Sequence, residues 1–194
     1  MKLLATGAAI LVVLAVSSQA RAAEFLKAEV NPVDIRTGGD LTGCGLEYSG
    51  VFRDHTYRSG ALSGVSGTIN IMRLGKANLG LFFKIGLVDW LDPEMKQAKI
   101  AKIEKAYVRS GGQAAPETVI PCDNPNSFCG GSGPDAAFKF FENAVKDKIQ
   151  IGFNRIPKGM DVLLTLPPID DLKFSECTVE LLNKVLAEAD ASKR

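Results

Sequence analysis

The chain has 194 residues with 23 Lys and Arg against 22 Asp and Glu, a formal net charge of +1. So even a balance argues against nucleic acid as a partner, because that binding rests on a basic surplus that neutralises phosphates. The single histidine, His55, excludes a histidine-rich metal site, so zinc would have to recruit cysteines.

Residues 1–22 read as a secretory signal. Lys2 supplies the charged start, 3–16 form the apolar core, and Ala20-Arg21-Ala22 is a small-x-small cleavage site. That core is too short to span a bilayer, and no later run reaches spanning length without a charge. Ala23 rather than cysteine follows the cut, which argues against a lipid anchor; the competing reading is an uncut N-terminal anchor. Cleavage removes Lys2 and Arg21 and leaves 172 residues with 21 basic and 22 acidic side chains. This length suits a single exported β-rich domain, 23–194, in the periplasm or secreted. Four cysteines in an exported chain point to disulfides rather than thiols.

Residues 24–41, with Pro32 and Gly38-Gly39, read as a lead-in holding one short strand. Cys44, Leu46 and Tyr48 alternate with Gly45, Glu47 and Ser49, which predicts a strand. Asp54-His55 reads as a turn. A Gly- and Ser-rich stretch follows and becomes β-prone at Thr68-Ile69-Asn70-Ile71. Leu79, Leu81, Phe83, Ile85 and Leu87 alternate over five positions and mark the clearest strand. Phe82 and Val88 on its other side predict that both faces are covered.

Asp92-Pro93-Glu94 is a good helix start. Residues 95–109 then fit either helix or strand, read here as a short helix followed by a strand. Lys96, Lys99, Lys102 and Lys105 recur every third residue, as a solvated face would, and an anionic partner there stays open.

Cys122 and Cys129 enclose Asp123-Asn124-Pro125-Asn126-Ser127-Phe128, mostly turn formers that fold the segment back on itself. Gly130-Gly131-Ser132-Gly133-Pro134 reads as a flexible joint. It could cradle an anion before a helix, but lacks the Lys-Ser/Thr ending of a phosphate loop. A helix begins at Pro134 or Asp135, with Ala137, Phe138, Phe141, Ala144, Val145 and Lys148 on one face. The period then drops to two. Ile149, Ile151 and Phe153 form one strand, Pro157-Lys158-Gly159 a turn, and Val162, Leu164 and Leu166 a second strand that Pro167-Pro168 stops. A last helix starts at Ser175 as N-cap, with Cys177, Leu181, Val185 and Ala189 inward and 190–194 frayed.

Four cysteines allow three pairings. The turn between them favours Cys122–Cys129. Cys44 at a strand start and Cys177 on an inner helix face then form the second bond, unless both are separate buried thiols. One core is expected to hold Leu81, Phe83, Ile85, Phe138, Phe141, Ile151, Phe153 and Leu164. Trp90 is expected in the core rather than as a ligand platform.

Catalytic signals are faint. A Ser-His-Asp triad would need His55, and a histidine on a polar loop tip is ordinarily just solvated. Carboxylate pairs such as Asp170-Asp171 and Asp89/Asp92 are not placed across a cleft by sequence. No catalytic, metal or cofactor residue is assigned, and no cofactor is expected.

The close pair Cys122/Cys129, the amphipathic helix 137–145, the hairpin 149–166 and the closing Phe174-Ser175-x-Cys177-x-x-x-Leu181 resemble the C-terminal part of the invasion-associated locus B family of exported proteobacterial proteins. The resemblance covers about 65 of the 172 residues. Cys177 stands where a small residue would be expected, and the N-terminal half offers no match. It implies a β-sandwich-like exported protein without known enzymatic activity, linked to the envelope or to a host.

The fold expected is mainly β, a β-sandwich or curled antiparallel sheet, with two helices in the C-terminal half. The function expected is a non-enzymatic periplasmic interaction module whose partner is another envelope or host protein. The alternative is a small-ligand or lipid-binding protein that uses the Leu79-to-Leu87 strand as a cavity wall.

Overall fold

The computed structural model describes residues 23–191 except 56, 58–59, 76–77, 91–93, 95, 145, 156–161 and 167–171. The expected signal (1–22), Asp92, Val145, the expected turn at Pro157-Lys158-Gly159, Pro167-Pro168 and Asp170-Asp171 therefore lie outside the described residues. Eleven strands and two helices are described, both helices in the C-terminal half.

Four long strands open the fold as an antiparallel meander: β1 Glu24–Thr37, β2 Asp40–Arg53, β3 Leu62–Arg73 and β4 Leu79–Trp90. The expected lead-in is thus wrong: 24–37 is a full-length edge strand. Its turn was visible as Gly38-Gly39, both with positive φ, which a two-residue hairpin loop requires. Pro32 is tolerated because β1 has β2 on one side only within its sheet.

Beyond β4, β5 Ala98–Ala101 pairs with the end of that strand, 87–90. β9 Phe128–Ser132 pairs with 81–85, and β8 Thr118–Ile120 lies outside β9. The second sheet has order β11 Val162–Leu166, β10 Ile149–Arg155, β6 Ile103–Ser110, β7 Gln113–Ala115. Both sheets are antiparallel throughout, and the first is curled.

Two expectations fall here. Residues 98–101 and 103–110 are strands, with no helix over them. The end of β4 extends past β9 and carries ladder groups that 98–101 satisfy. Lys96, Lys99, Lys102 and Lys105 are all exposed, and Lys96 pairs with Glu94. The second is the flexible joint: Gly130-Gly131-Ser132 belongs to β9. A Cβ on Gly130 would collide with the Pro116 ring, so close packing rather than flexibility explains that glycine.

Helix α1, Pro134–Ala144, begins where expected, and the Ala137 N–H closes its first turn on the Gly133 carbonyl at 3.1 Å. Its inner face is Ala136, Ala137, Phe140, Phe141 and Ala144; Phe138 is 42% exposed, which corrects the core assignment. Lys148 falls beyond the helix. Helix α2, Leu172–Ala191, starts three residues before Ser175, so that serine lies inside the helix and is not its cap. Phe174 in its first turn is buried, and its ring stacks 5.1 Å from Phe141, whose ring meets Phe140 at 5.3 Å. Phe140, not Phe138, turns inward with Phe141. Cys177, Leu181 and Val185 are buried as expected, whereas Ala189 is half-buried.

The core lies between the sheets, closed by α1 over β4, β6 and β7 and by α2 over β2 and β1. Leu81, Phe83, Ile85, Phe141, Ile151, Phe153 and Leu164 share one cluster, and Phe52 of β2 meets Phe153 of β10 edge-on at 5.9 Å. Cys44–Cys177 joins β2 to α2, and Cys122–Cys129 closes the short ring. With β1 present, the long bond ties the second strand to α2, not the first.

Candidate functional site: an open trough on the outer face of the long sheet

The meander strands have two unlike faces. Leu46, Tyr48, Phe52, Ile69, Leu81, Phe83 and Ile85 fill the inner one. The outer one carries Glu47 and Ser49 on β2, Gly64, Ser66 and Thr68 on β3, and Lys84, Gly86, Val88 and Trp90 on β4. Small and polar side chains there leave the floor low. Curling of the sheet raises a wall on each side: Asn31 of β1, and opposite it Ile100 of β5 with the loop 124–127. The hollow is about 530 Å³. A second hollow of about 360 Å³ shares Ser49, Ser66 and Val88 with it and ends at Trp90, with Lys27 and Glu29 on the rim. The expectation that both faces of β4 are covered is therefore corrected: Phe82 and Val88 are half-buried, and among the described residues no second layer of strands or helices covers this face.

The far wall is rigid for a local reason. The Cys122–Cys129 ring holds the loop, and the Asn124 side chain accepts the Asn126 N–H at 2.9 Å while its carbonyl accepts the Ser127 N–H at 3.0 Å. On the rim Lys27 and Glu29 pair at 2.6 Å; their hydrogen bond raises the lysine pKa and lowers that of the glutamate. Beneath the floor, Tyr48 lies over Gly67 and its hydroxyl donates to the Lys84 carbonyl at 3.0 Å. Burial pushes this phenol well above its ordinary range.

Trp90 was expected in the core. It is instead half-buried on the outer face, where its six-membered ring lies over Gly64. A Cβ at Gly64 would sit 2.9 Å from Trp90 Cη2, so the glycine lets the indole lie down on the sheet.

The faint catalytic candidates are kept apart. His55 is exposed in the turn after β2. Asp54 is buried and turned inward, its Oδ2 3.8 Å from Arg155 Nη2. Asp89 is buried too, accepting from Arg155 Nη1 at 3.1 Å and from Ser63 Oγ at 2.6 Å. The Arg155 guanidinium lies 4.0 Å over the Tyr57 ring and is only 1% exposed. This ionic cluster was missed in the sequence. Its signal was there: Arg155 continues the inward series Ile149, Ile151, Phe153 at period two. Among the described residues no three His, Cys, Asp or Glu side chains group as a metal site requires. No helix among them is long and apolar enough to cross a membrane.

Comparison of the chain with protein-family models, with curated proteins and with solved structures returned no match.

Proposed function

We propose that this chain is an exported, non-enzymatic binding protein of the periplasm or the secreted fraction, engaging an envelope or host component through the trough. The observation that carries the reading is the contrast between the two faces of the long sheet. The apolar side chains of its inner face fill one core, while its open hollow is lined by hydroxyls, amides and a few balanced charges interleaved with Val88 and Ile100. Two disulfides and a signal-like N-terminus support export. The resemblance to the invasion-associated locus B family, carried by 122–186, points the same way. The lipid-binding alternative needs Leu79, Leu81, Phe83, Ile85 and Leu87 as a cavity wall, and those side chains lie in the packed core.

The test is capture from the native periplasm by the tagged mature chain, compared with Gly86→Val, which narrows the trough. A component retained by the parent and lost from the variant supports the reading. Equal capture by both removes the trough from the function. Intact mass of the periplasmic protein checks export: it should lack residues 1–22, and a mass that retains them sinks that part.

A further inference from the structure

We infer that the trough takes a neutral, extended oligosaccharide chain, an inference that rests on the trough being the binding face. Gly86 is the first pointer. It sits mid-strand in β4, where glycine weakens a sheet. Its φ is not positive, and a Cβ there would meet nothing closer than Ser127 Oγ at 3.6 Å. Neither backbone conformation nor packing within the chain requires glycine at this position. The space it leaves opens into the trough, as at sites where a ligand comes close to a strand.

Trp90 is the second pointer. Its indole is laid over Gly64 at the end of the same hollow, an arrangement that needs glycine beneath it. A flat aromatic surface next to hydroxyl and amide groups matches a sugar, which offers C–H-rich ring faces and a rim of hydroxyls. Ser49, Ser66, Thr68 and Asn126 supply groups that both donate and accept.

Charge and backbone narrow the class. Glu47 and Glu29 offset Lys84 and Lys27, so the lining attracts neither polyanion nor polycation. The floor strands β2, β3 and β4 each have a paired strand on both sides. A peptide laid on this face gains no ladder hydrogen bonds, which an added strand finds only at an edge. The two hollows run on from one another across Ser49, Ser66 and Val88, which suits a straight β-linked chain better than a coiled α-linked one.

Trp90 is the sole tryptophan of the chain, so its fluorescence reports on this site alone. The mature protein is titrated with cellohexaose, chitohexaose and maltohexaose. A saturable emission change with a β-linked hexamer, at a Kd of about 10 μM to 1 mM, is expected. Gly86→Val and the exposed-floor variant Ser66→Leu should each weaken it about tenfold or more, with the circular dichroism spectrum unchanged. If one variant fails to fold, the other carries the test. No emission change with any hexamer up to about 5 mM overturns the inference, as does binding untouched by both variants. Equal binding of maltohexaose overturns the extended-chain specification. Periplasmic capture that is lost in Gly86→Val while every hexamer is silent, or a protein as the captured component, keeps the trough and sinks the sugar.

Discussion

Tyr48 and Arg155 are the two polar side chains on which the interior depends most. Tyr48 places a phenol where an aliphatic residue would fit, and its hydroxyl reaches across Gly67 to the Lys84 carbonyl. Burial raises its folded-state pKa above the value of 10.0 that the unfolded chain shows. The unfolded chain therefore loses this proton first as pH climbs. The group's stabilisation is complete below pH 10 and is lost progressively above it, toward the folded-state pKa. Tyr48→Phe should remove this part of the alkaline loss while costing about 1 kcal/mol at neutral pH for the hydrogen bond. Melting curves of both proteins from pH 8 upward check it; parallel alkaline slopes would refute the assignment. Arg155 holds two buried carboxylates. Arg155→Met removes the cation that these two carboxylates share and should destabilise by about 3–5 kcal/mol in urea unfolding. Replacing Asp54, Asp89 and Arg155 together by apolar residues of similar size should cost less than Arg155→Met alone, because the buried carboxylates leave with their shared cation.

Between elements, an aromatic contact links α1 with α2. Phe140, Phe141 and Phe174 form a continuous set of rings, and Phe138 faces solvent. Phe140→Ala should cost about 3–5 kcal/mol, whereas Phe138→Ala should stay within about 0.5 kcal/mol of the parent. Equal losses would show that α1 is rotated from this position. The hairpin of β10 and β11 follows the period-two pattern of its side chains, and β6 adds to its other edge. Residues 95–109 behave differently. Lysine at every third position suits a solvated helix face and an exposed edge strand alike. What decides is the end of β4, which takes 98–101, and the edge of β10, which takes 103–109; the segment itself reveals neither partner.

For the whole molecule, the two disulfides have separate tasks. Cys44–Cys177 spans a sequence separation of 133 and clamps α2 to the meander. Loop entropy assigns it about 5 kcal/mol, against about 2.5 kcal/mol for Cys122–Cys129. The Cys44→Ala/Cys177→Ala pair should therefore lower the melting temperature more than the Cys122→Ala/Cys129→Ala pair. The second pair loosens the trough wall at 124–127 and should reduce binding more than stability. A peptide map without reductant should recover Cys44 joined to Cys177; Cys122 in that bond would overturn the arrangement.

What the sequence by itself determined are the features written in neighbouring residues. Period-two alternation marks the strand from Leu79 to Leu87 and the hairpin around Ile151 and Leu164, because successive strand side chains point to opposite faces. Turn formers between Cys122 and Cys129 bring those cysteines together, and once they pair, Cys44 has only Cys177. Pro134 and Asp135 mark the start of α1. Gly38-Gly39 also marked a hairpin, although the charged, Pro-containing run before it hid the edge strand β1. The tertiary structure alone decided the rest. Phe138 and Phe140 both fit an apolar stripe, and only packing against the core selects Phe140. Asp54, Asp89 and Arg155 are far apart in the chain and meet because three different strands end together. Asn31, Ser66, Gly86 and Asn126 each read as an ordinary solvated position. They become a trough because twist and curl accumulate across many strands, and no local stretch of sequence carries that curvature.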